Sequence, residues 1–292
     1  MVTMFNIFFL GKTRHYLERS IALALDEDGR DLTTMGLFST KDHLRATLIA
    51  KEPATLAGLA FIPLILTNCS LDPSAPFALH MSALDGDTVP AGTILATIEG
   101  PAHTVLKSER VILNYACHLS GIATYTRRYA DALLGTRTRL LDTRKTLPGL
   151  RYPEKYAVRL GNGLNHRLDL EQMLMLKDNH IDSAGGITKA VTALRAAYHC
   201  DCPPIEVECR TLPEVQEAVA AGVARIMLDN MCPAGIASAL LCIPKNIESE
   251  VSGNVTLNTI REIAMLGPNF ISVGHITHSA PAADMSLHVE KP

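Results

Sequence analysis

Beyond Arg137 the chain alternates short apolar runs with helical stretches, at a spacing of roughly 20–25 residues. This rhythm restricts the fold more than any other feature. RLLDTRK, MLMLKDN, IEVECR, RIMLDN, IESEVSGN and FISVG each read as a buried strand ending in polar residues. Between them LPEVQEAVAAG, PAGIASALL and TLNTIREIAML read as helices. Such alternation predicts βα units around a parallel sheet, closed or nearly closed as a barrel.

The region before about residue 107 reads differently. Apolar residues recur at helical spacing from Leu17 to Leu25, and a turn-like DEDGRDLTT follows. ATLIAKEPATLAGL, FALHMSAL and TILATIEG are strand-like, which predicts a small α+β domain with a twisted sheet. Next comes a helix, SERVILNYACHLSGIATYTRRYADAL, with Ser108 placed to act as its N-cap. Val111, Leu113, Ala116, Cys117 and Ser120 share one face, whose small residues permit close approach of a neighbour.

With 292 residues, 47% hydrophobic and 20% charged, the chain has material for two domains. A net charge of −3 and a pI near 6.4 give no general attraction to polyanions or membranes. Within this slightly acidic chain, residues 139–167 concentrate Arg139, Arg144, Lys145, Arg151, Lys155, Arg159, His166 and Arg167. Such a local cluster points to recognition of a small anion. The seven cysteines form no paired CxxC motifs, and Cys200-Asp201-Cys202 is too tightly spaced for a zinc ribbon; reduced thiols in a cytosol fit best. The apolar run Phe5 to Leu10 is too short to span a bilayer, and no charge precedes it. It reads as a terminal segment that packs on its own domain or on a partner.

Chemistry on a βα barrel belongs at the C-terminal ends of the strands. There the sequence places Thr143-Arg144-Lys145, Lys177-Asp178-Asn179, Glu208, Asp229, Ser252-Gly253-Asn254 and Ser272-Val273-Gly274. Arg144, Lys145, His166, Arg167 and Lys177 together would repel unless an anion joined them, and arginine forks suit carboxylates and phosphates. Glu208 and Asp229 either pair with these cations, accept hydrogen bonds from sugar hydroxyls, or hold a divalent metal through oxygen. The SGN and SVG turns supply small residues where backbone N–H groups can cradle a phosphate.

These pieces resemble the quinolinate phosphoribosyltransferase (nicotinate-nucleotide pyrophosphorylase) family. The resemblance rests on GRDLTT, SERVILNYACHLSGIAT, DTRKTLPGLR, EKYAV with GNGLNHR, LKDNHI, EVE, MLDN, EVSGN and ISVG with THSAPA, in the family's order over nearly the whole chain. It implies an N-terminal α/β sandwich domain over 1–115, joined by 276–292, and an open α/β barrel of parallel strands over 116–275. It implies a cytoplasmic homodimer with active sites at the interface, turning quinolinate and phosphoribosyl pyrophosphate, with Mg2+, into nicotinate mononucleotide, pyrophosphate and CO2. By the same match, Arg144, His166, Arg167 and Lys177 line the quinolinate pocket, and Lys145 sits on the pyrophosphate side beside Thr143. Arg110 comes from the neighbouring subunit. Glu208 and Asp229 hold ribose hydroxyls and Mg2+, the latter directly or through substrate and water, while the SGN and SVG turns hold the 5′-phosphate. Lys145, Lys177, Glu208 and Asp229 are the expected catalytic residues.

Two departures stand out. The family usually has a glycine triplet before NHR, here Gly161-Asn162-Gly163, and asparagine tolerates positive φ. His275 stands where the family commonly has alanine, and either touches the phosphate or points outward. A phosphoribosyltransferase of the same fold, found with molybdate-transport genes, is the rival; it tends to lack the asparagine of Asn165-His166-Arg167. DGDTVPAGTILATIEG is similar to the turn pattern of biotinyl or lipoyl domains, but no lysine occupies the hairpin tip.

Overall fold

A computed structural model describes residues 3–70 and 76–290 of the protein. In chain order, helices α1 (Met4–Phe8), α2 (Lys12–Glu27) and α3 (Leu32–Leu37) precede strands β1 (His43–Ala50) and β2 (Ala54–Thr55). Helix α4 (Ile62–Cys69), strands β3 (Ala78–Met81), β4 (Thr88–Val89) and β5 (Ile94–Pro101), and the long α5 (Ala102–Ala132) follow. Then come β6 (Arg139–Leu141), α6 (Arg151–Leu160), β7 (Leu174–Leu176), α7 (Asp178–Ala184) and α8 (Ile187–Tyr198). The chain continues through β8 (Ile205–Cys209), α9 (Leu212–Ala220), β9 (Arg225–Asp229), α10 (Pro233–Cys242) and β10 (Glu248–Ser252). It ends with α11 (Ile260–Met265), β11 (Phe270–Ser272), α12 (His275–His278) and β12 (Met285–Glu290).

Two compact units result. The first comprises residues 1–127, 146–162 and 276–292; the second comprises 128–145 and 163–275. This division differs from boundaries at 115 and 116. Helix α5 is continuous, so most of it stays with the first unit, and α6 groups there too although barrel strands flank it in sequence.

The first unit is built on an antiparallel sheet in the order β12-β1-β5-β3. Exposed and buried residues alternate along the N-terminal half of β1, as expected of a strand with one covered face. β5 passes into α5 at Pro101 and Ala102, so the helix starts six residues ahead of Ser108. Ser108 is therefore not an N-cap; it is buried in the helix, its hydroxyl donating to Val105 O at 2.9 Å. The small-residue face of α5 does allow close approach: a Cβ on Gly121 would meet Pro281 O, and Ser120 Oγ accepts from Ala57 N at 2.9 Å. The apolar N-terminal segment packs on its own unit, where Phe5, Phe8 and Phe9 surround the Tyr156 ring at 5.1–6.2 Å. Asp85 is structural: it accepts from Leu59 N and the Tyr156 hydroxyl, both at 2.8 Å.

The second unit carries the six expected parallel strands in the order β6-β11-β10-β9-β8-β7. Consecutive strands neighbour one another from β7 to β11, and β6 closes against β11. β6 and β7 do not pair, so the barrel is open between them. At that edge Leu164 forms a parallel bridge with Leu141, donating its N–H to Leu140 O at 2.8 Å. Among the described residues no helix is long and apolar enough to cross a membrane.

Candidate active site

The parallel sheet has two unlike faces. Register places Glu206 beside Arg225 and Arg225 beside Glu248; Glu208, Met227, Glu250 and Phe270 form the next row. Asp229 and Ser252 lie opposite each other at the C-terminal ends. The alternate residues Val207, Ile226, Leu228, Val251 and Ile271 are buried apolar side chains on the other face. One face is oily, the other charged.

The charged face curls around His166. Its Nε2 lies 3.0 Å from Glu206 Oε2 and 3.4 Å from Glu250 Oε2. Arg225 reaches Glu250 at 3.2 Å and Glu248 at 2.7 Å. The Glu206 and Glu250 side chains are 0% exposed and the imidazole only 5%, so this is a buried ion-paired interior. Burial disfavours the imidazolium, but Glu206 and Glu250 outweigh it and push the His166 pKa up to about 9. Burial also opposes ionisation of Glu250, yet His166, Ser272 and Arg225 hold its pKa below the usual range. The Glu206 pKa is raised by burial and by the neighbouring Glu250 charge. An N–H of Arg167 points at Nδ1 from 2.7 Å and favours the neutral ring; two carboxylates outweigh one peptide dipole. Although His166, Glu206 and Glu250 are of metal-ligating type, Arg225 already neutralises Glu250, and the group fits ion pairing rather than a metal.

His166 thus backs the mouth from within. What holds it there is Asp142, 0% exposed at the end of β6. Asp142 accepts from His166 N at 2.7 Å and from Asn165 Nδ2 at 2.8 Å, tying the NHR segment to the DTRK segment. The segments that flank Asp142 and His166 also carry Arg144 and Arg167, whose charges interact. Burial lowers the Arg167 pKa, and the Arg144 charge nearby lowers it further. Arg167 Nη1 donates to Met173 O at 2.9 Å, whereas Arg144 Nε is buried and meets no acceptor. Two guanidinium groups repel here while one keeps a donor unused, which is what an anion pocket requires.

Lys177, the residue after β7 and the N-cap of α7, donates to Glu208 Oε2 at 2.9 Å. Lys145 is exposed, its N–H bonded to Thr143 Oγ1 at 3.0 Å. Asp229 Oδ2 accepts from Asn230 Nδ2 at 2.8 Å. The SGN turn follows β10, with Gly253 at φ +94° and Asn254 at φ +52°. A Cβ on Gly253 would meet the Asn230 side chain, so glycine is needed there for a protein group as well as for any ligand. Val273 N–H continues the sheet to Leu141 O at 3.0 Å, which sets the direction of the Ser272-Val273-Gly274 turn. His275, at the start of α12, is exposed. Asn162 adopts φ +66°, the left-handed conformation a third glycine would otherwise supply.

Not every cation of the basic stretch reaches the mouth. Arg139 stacks over Phe270 at 5.0 Å, and Lys155 is fully buried on α6 in the first unit. Arg110 is exposed on α5, also in the first unit. Glu208 and Asp229 offer carboxylate oxygens, the hard donor type that Mg2+ takes, although Glu208 already pairs with Lys177.

Two family models cover most of the chain. The N-terminal domain of quinolinate phosphoribosyl transferase matches residues 31–120, and its C-terminal domain matches 122–288. A probable nicotinate-nucleotide pyrophosphorylase [carboxylating] of Synechocystis is 44% identical over 270 residues, covering 91% of this chain and 90% of that protein. Its Bacillus subtilis counterpart is 41% identical, with 89% and 88% covered. The solved nicotinate-nucleotide pyrophosphorylase from Francisella tularensis superposes with a TM-score of 0.88 at 35% identity, covering 97% of this chain and 99% of that one. The Streptococcus pyogenes NadC structure gives 0.89 at 37% identity, with the same coverage. Sequence and fold agree over most of the chain, which belongs to the quinolinate phosphoribosyl transferase family.

Proposed function

We propose that the protein transfers phosphoribose from phosphoribosyl pyrophosphate to quinolinate with loss of CO2, forming nicotinate mononucleotide for NAD synthesis. The observation that carries this reading is the juxtaposed pair Arg144 and Arg167, one with a buried Nε lacking an acceptor, at a mouth that also holds Lys177, Glu208 and Asp229. A dicarboxylate answers that pair, because each fork can bind one carboxylate. His166 adds a fixed charge beneath.

In this mechanism Arg144, Arg167 and Lys177 orient quinolinate so that its ring nitrogen faces ribose C1′. The nitrogen lone pair forms the N–C1′ bond as the C1′–O bond to pyrophosphate breaks. Glu208 and Asp229 hold the ribose hydroxyls and stabilise positive charge developing on the sugar. Lys145 takes up charge on the departing pyrophosphate, with Thr143 beside it, while the Ser252-Gly253-Asn254 and Ser272-Val273-Gly274 turns hold the 5′-phosphate. Glu208 and Asp229 would hold Mg2+, directly or through substrate and water, and the ion would supply charge neutralisation for the pyrophosphate. The C2 carboxylate then leaves as CO2, and the electron pair on C2, stabilised by the adjacent pyridinium, takes a proton. Arg110 reaches the site from a second copy of the chain in a homodimer. The seven cysteines, all unpaired, accord with a cytoplasmic enzyme.

The test is formation of nicotinate mononucleotide from quinolinate, phosphoribosyl pyrophosphate and Mg2+ by the purified chain, lost on chelation and restored by Mg2+. A folded protein that makes no product refutes the reading, and absence of quinolinate binding by calorimetric titration refutes the substrate assignment.

A further inference from the structure

Asn230 belongs to none of the groups assigned above, yet four features converge on it. Its backbone is left-handed at φ +54°, a conformation that few non-glycine residues adopt. Its N–H donates to Ser252 O at 3.0 Å, extending the pairing of β9 with β10 by one residue. Its Nδ2 donates to Asp229 Oδ2 at 2.8 Å, and its Oδ1 accepts from Asn254 Nδ2 at 3.1 Å. A Cβ on Gly253 would strike Oδ1 and lie 2.5 Å from Cγ, so the amide lies flat over that glycine. The carboxylate of Asp229 only accepts, which fixes Nδ2 toward it and leaves Oδ1 for Asn254.

We propose that Asn230 is a positioning residue that clasps Asp229 to the Gly253–Asn254 turn, so that the ribose-binding carboxylate and the phosphate-binding turn keep one fixed spacing. This rests on the reading of Asp229 and the SGN turn given above. Phosphoribosyl pyrophosphate spans both groups, and a substrate held at two points is bound well only if they do not drift apart. Quinolinate, held by Arg144 and Arg167 near β6, is indifferent to the clasp.

Asn230→Gly tests this, because glycine accepts φ +54° while the whole side chain, amide included, is removed. Loss of hydrogen bonds to a charged group predicts affinity for phosphoribosyl pyrophosphate with Mg2+, read by calorimetric titration, weaker by roughly 10- to 100-fold. The KM for quinolinate and the melting temperature should hold. Unchanged phosphoribosyl pyrophosphate affinity, or an equal loss for both substrates, overturns the proposal. Asp229→Asn is the control: if it weakens phosphoribosyl pyrophosphate binding while Asn230→Gly does not, the clasp fails and the functional reading stands. If the wild-type protein does not bind phosphoribosyl pyrophosphate, the functional reading fails. A melting cycle needs no substrate. Gly253→Ala should destabilise, and adding Asn230→Gly should restore part of that loss, since the struck side chain is gone. Strict additivity of the two changes overturns the clasp.

Discussion

Replacing Glu250 by glutamine removes one of two carboxylates from a buried interior while preserving shape. Glu250 stands 3.2 Å from Arg225 Nη1 and 3.4 Å from His166 Nε2. Breaking a buried pair by deleting one partner costs about 3–5 kcal/mol. Arg225 keeps Glu248 at 2.7 Å, so the lower end applies, about 3 kcal/mol. At roughly 2–4 °C per kcal/mol for a protein of this order of size, the melting temperature should fall by about 6–12 °C. The pH profile should change as well. The folded-state pKa of His166 lies above its ordinary 6.5, at about 9. Its stabilisation is therefore complete below the ordinary value and is lost as pH rises through about 9, a contribution of at most about 3 kcal/mol. Glu250 has a lowered pKa, so its own contribution is present at neutral pH and is lost in acid. Glu206 is raised and opposes both above its folded pKa. In Glu250→Gln the His166 loss should begin at lower pH and be smaller, and the acid decline should flatten. The chain has no tryptophan, so circular dichroism or calorimetry between about pH 3 and about 10, a window that covers both the acid loss of Glu250 and the alkaline loss of His166, is the suitable probe. A variant melting within about 2 °C of wild type, with an unchanged pH profile, would refute the ion-paired interior.

Arg110→Ala and Lys177→Ala homodimers should each be nearly inactive, whereas mixing them after dissociation should restore about a quarter of all sites, one per mixed dimer. No recovery, with chain exchange verified by native mass spectrometry, would rule out a shared site. Gly161→Ala should lower stability in urea by about 1–3 kcal/mol or more, because its Cβ would meet Ala123 O and lie 2.6 Å from Thr126 Cβ. Asn162→Gly at φ +66° should be nearly neutral, and Asn162→Val should lose about 1–2 kcal/mol. Thiol titration of the native protein should label the exposed Cys200 and Cys232 first. Cys69 and Cys209, buried with pKa values pushed up to about 11 and about 12, should resist until unfolding.

Periodicity marks the strands of the parallel sheet, whereas what depends on register is not legible in the sequence. The six barrel strands were legible because a strand covered on both faces is a short apolar run between turn residues. In IEVEC the sequence reading took Glu208 as the polar end of an apolar strand and passed over Glu206, two residues earlier. Arg225 and Glu250 were missed in the same way. The available signal is charge at even spacing, Glu206 with Glu208 and Glu248 with Glu250 two apart and Arg225 with Asp229 four apart, which in a parallel strand marks a polar interior. Asn230 offered no such signal. Its partner Asn254 is 24 residues away, and only the pairing of Asp229 with Ser252 brings the two asparagines together. Gly253 shows the same limit from the other side: glycine there was explained by a ligand's approach, when a neighbouring side chain already excludes a Cβ. Ser108 precedes an amphipathic run and so reads as a helix start, but α5 already begins at Ala102, directly after β5 ends at Pro101. Apart from Ser108, each of these residues has surroundings assembled from distant segments. A site at the ends of parallel strands is made almost wholly of such surroundings, so Asp142, Glu250 and Asn230, which hold or balance the expected cations and acids, are not legible from any one segment of the sequence.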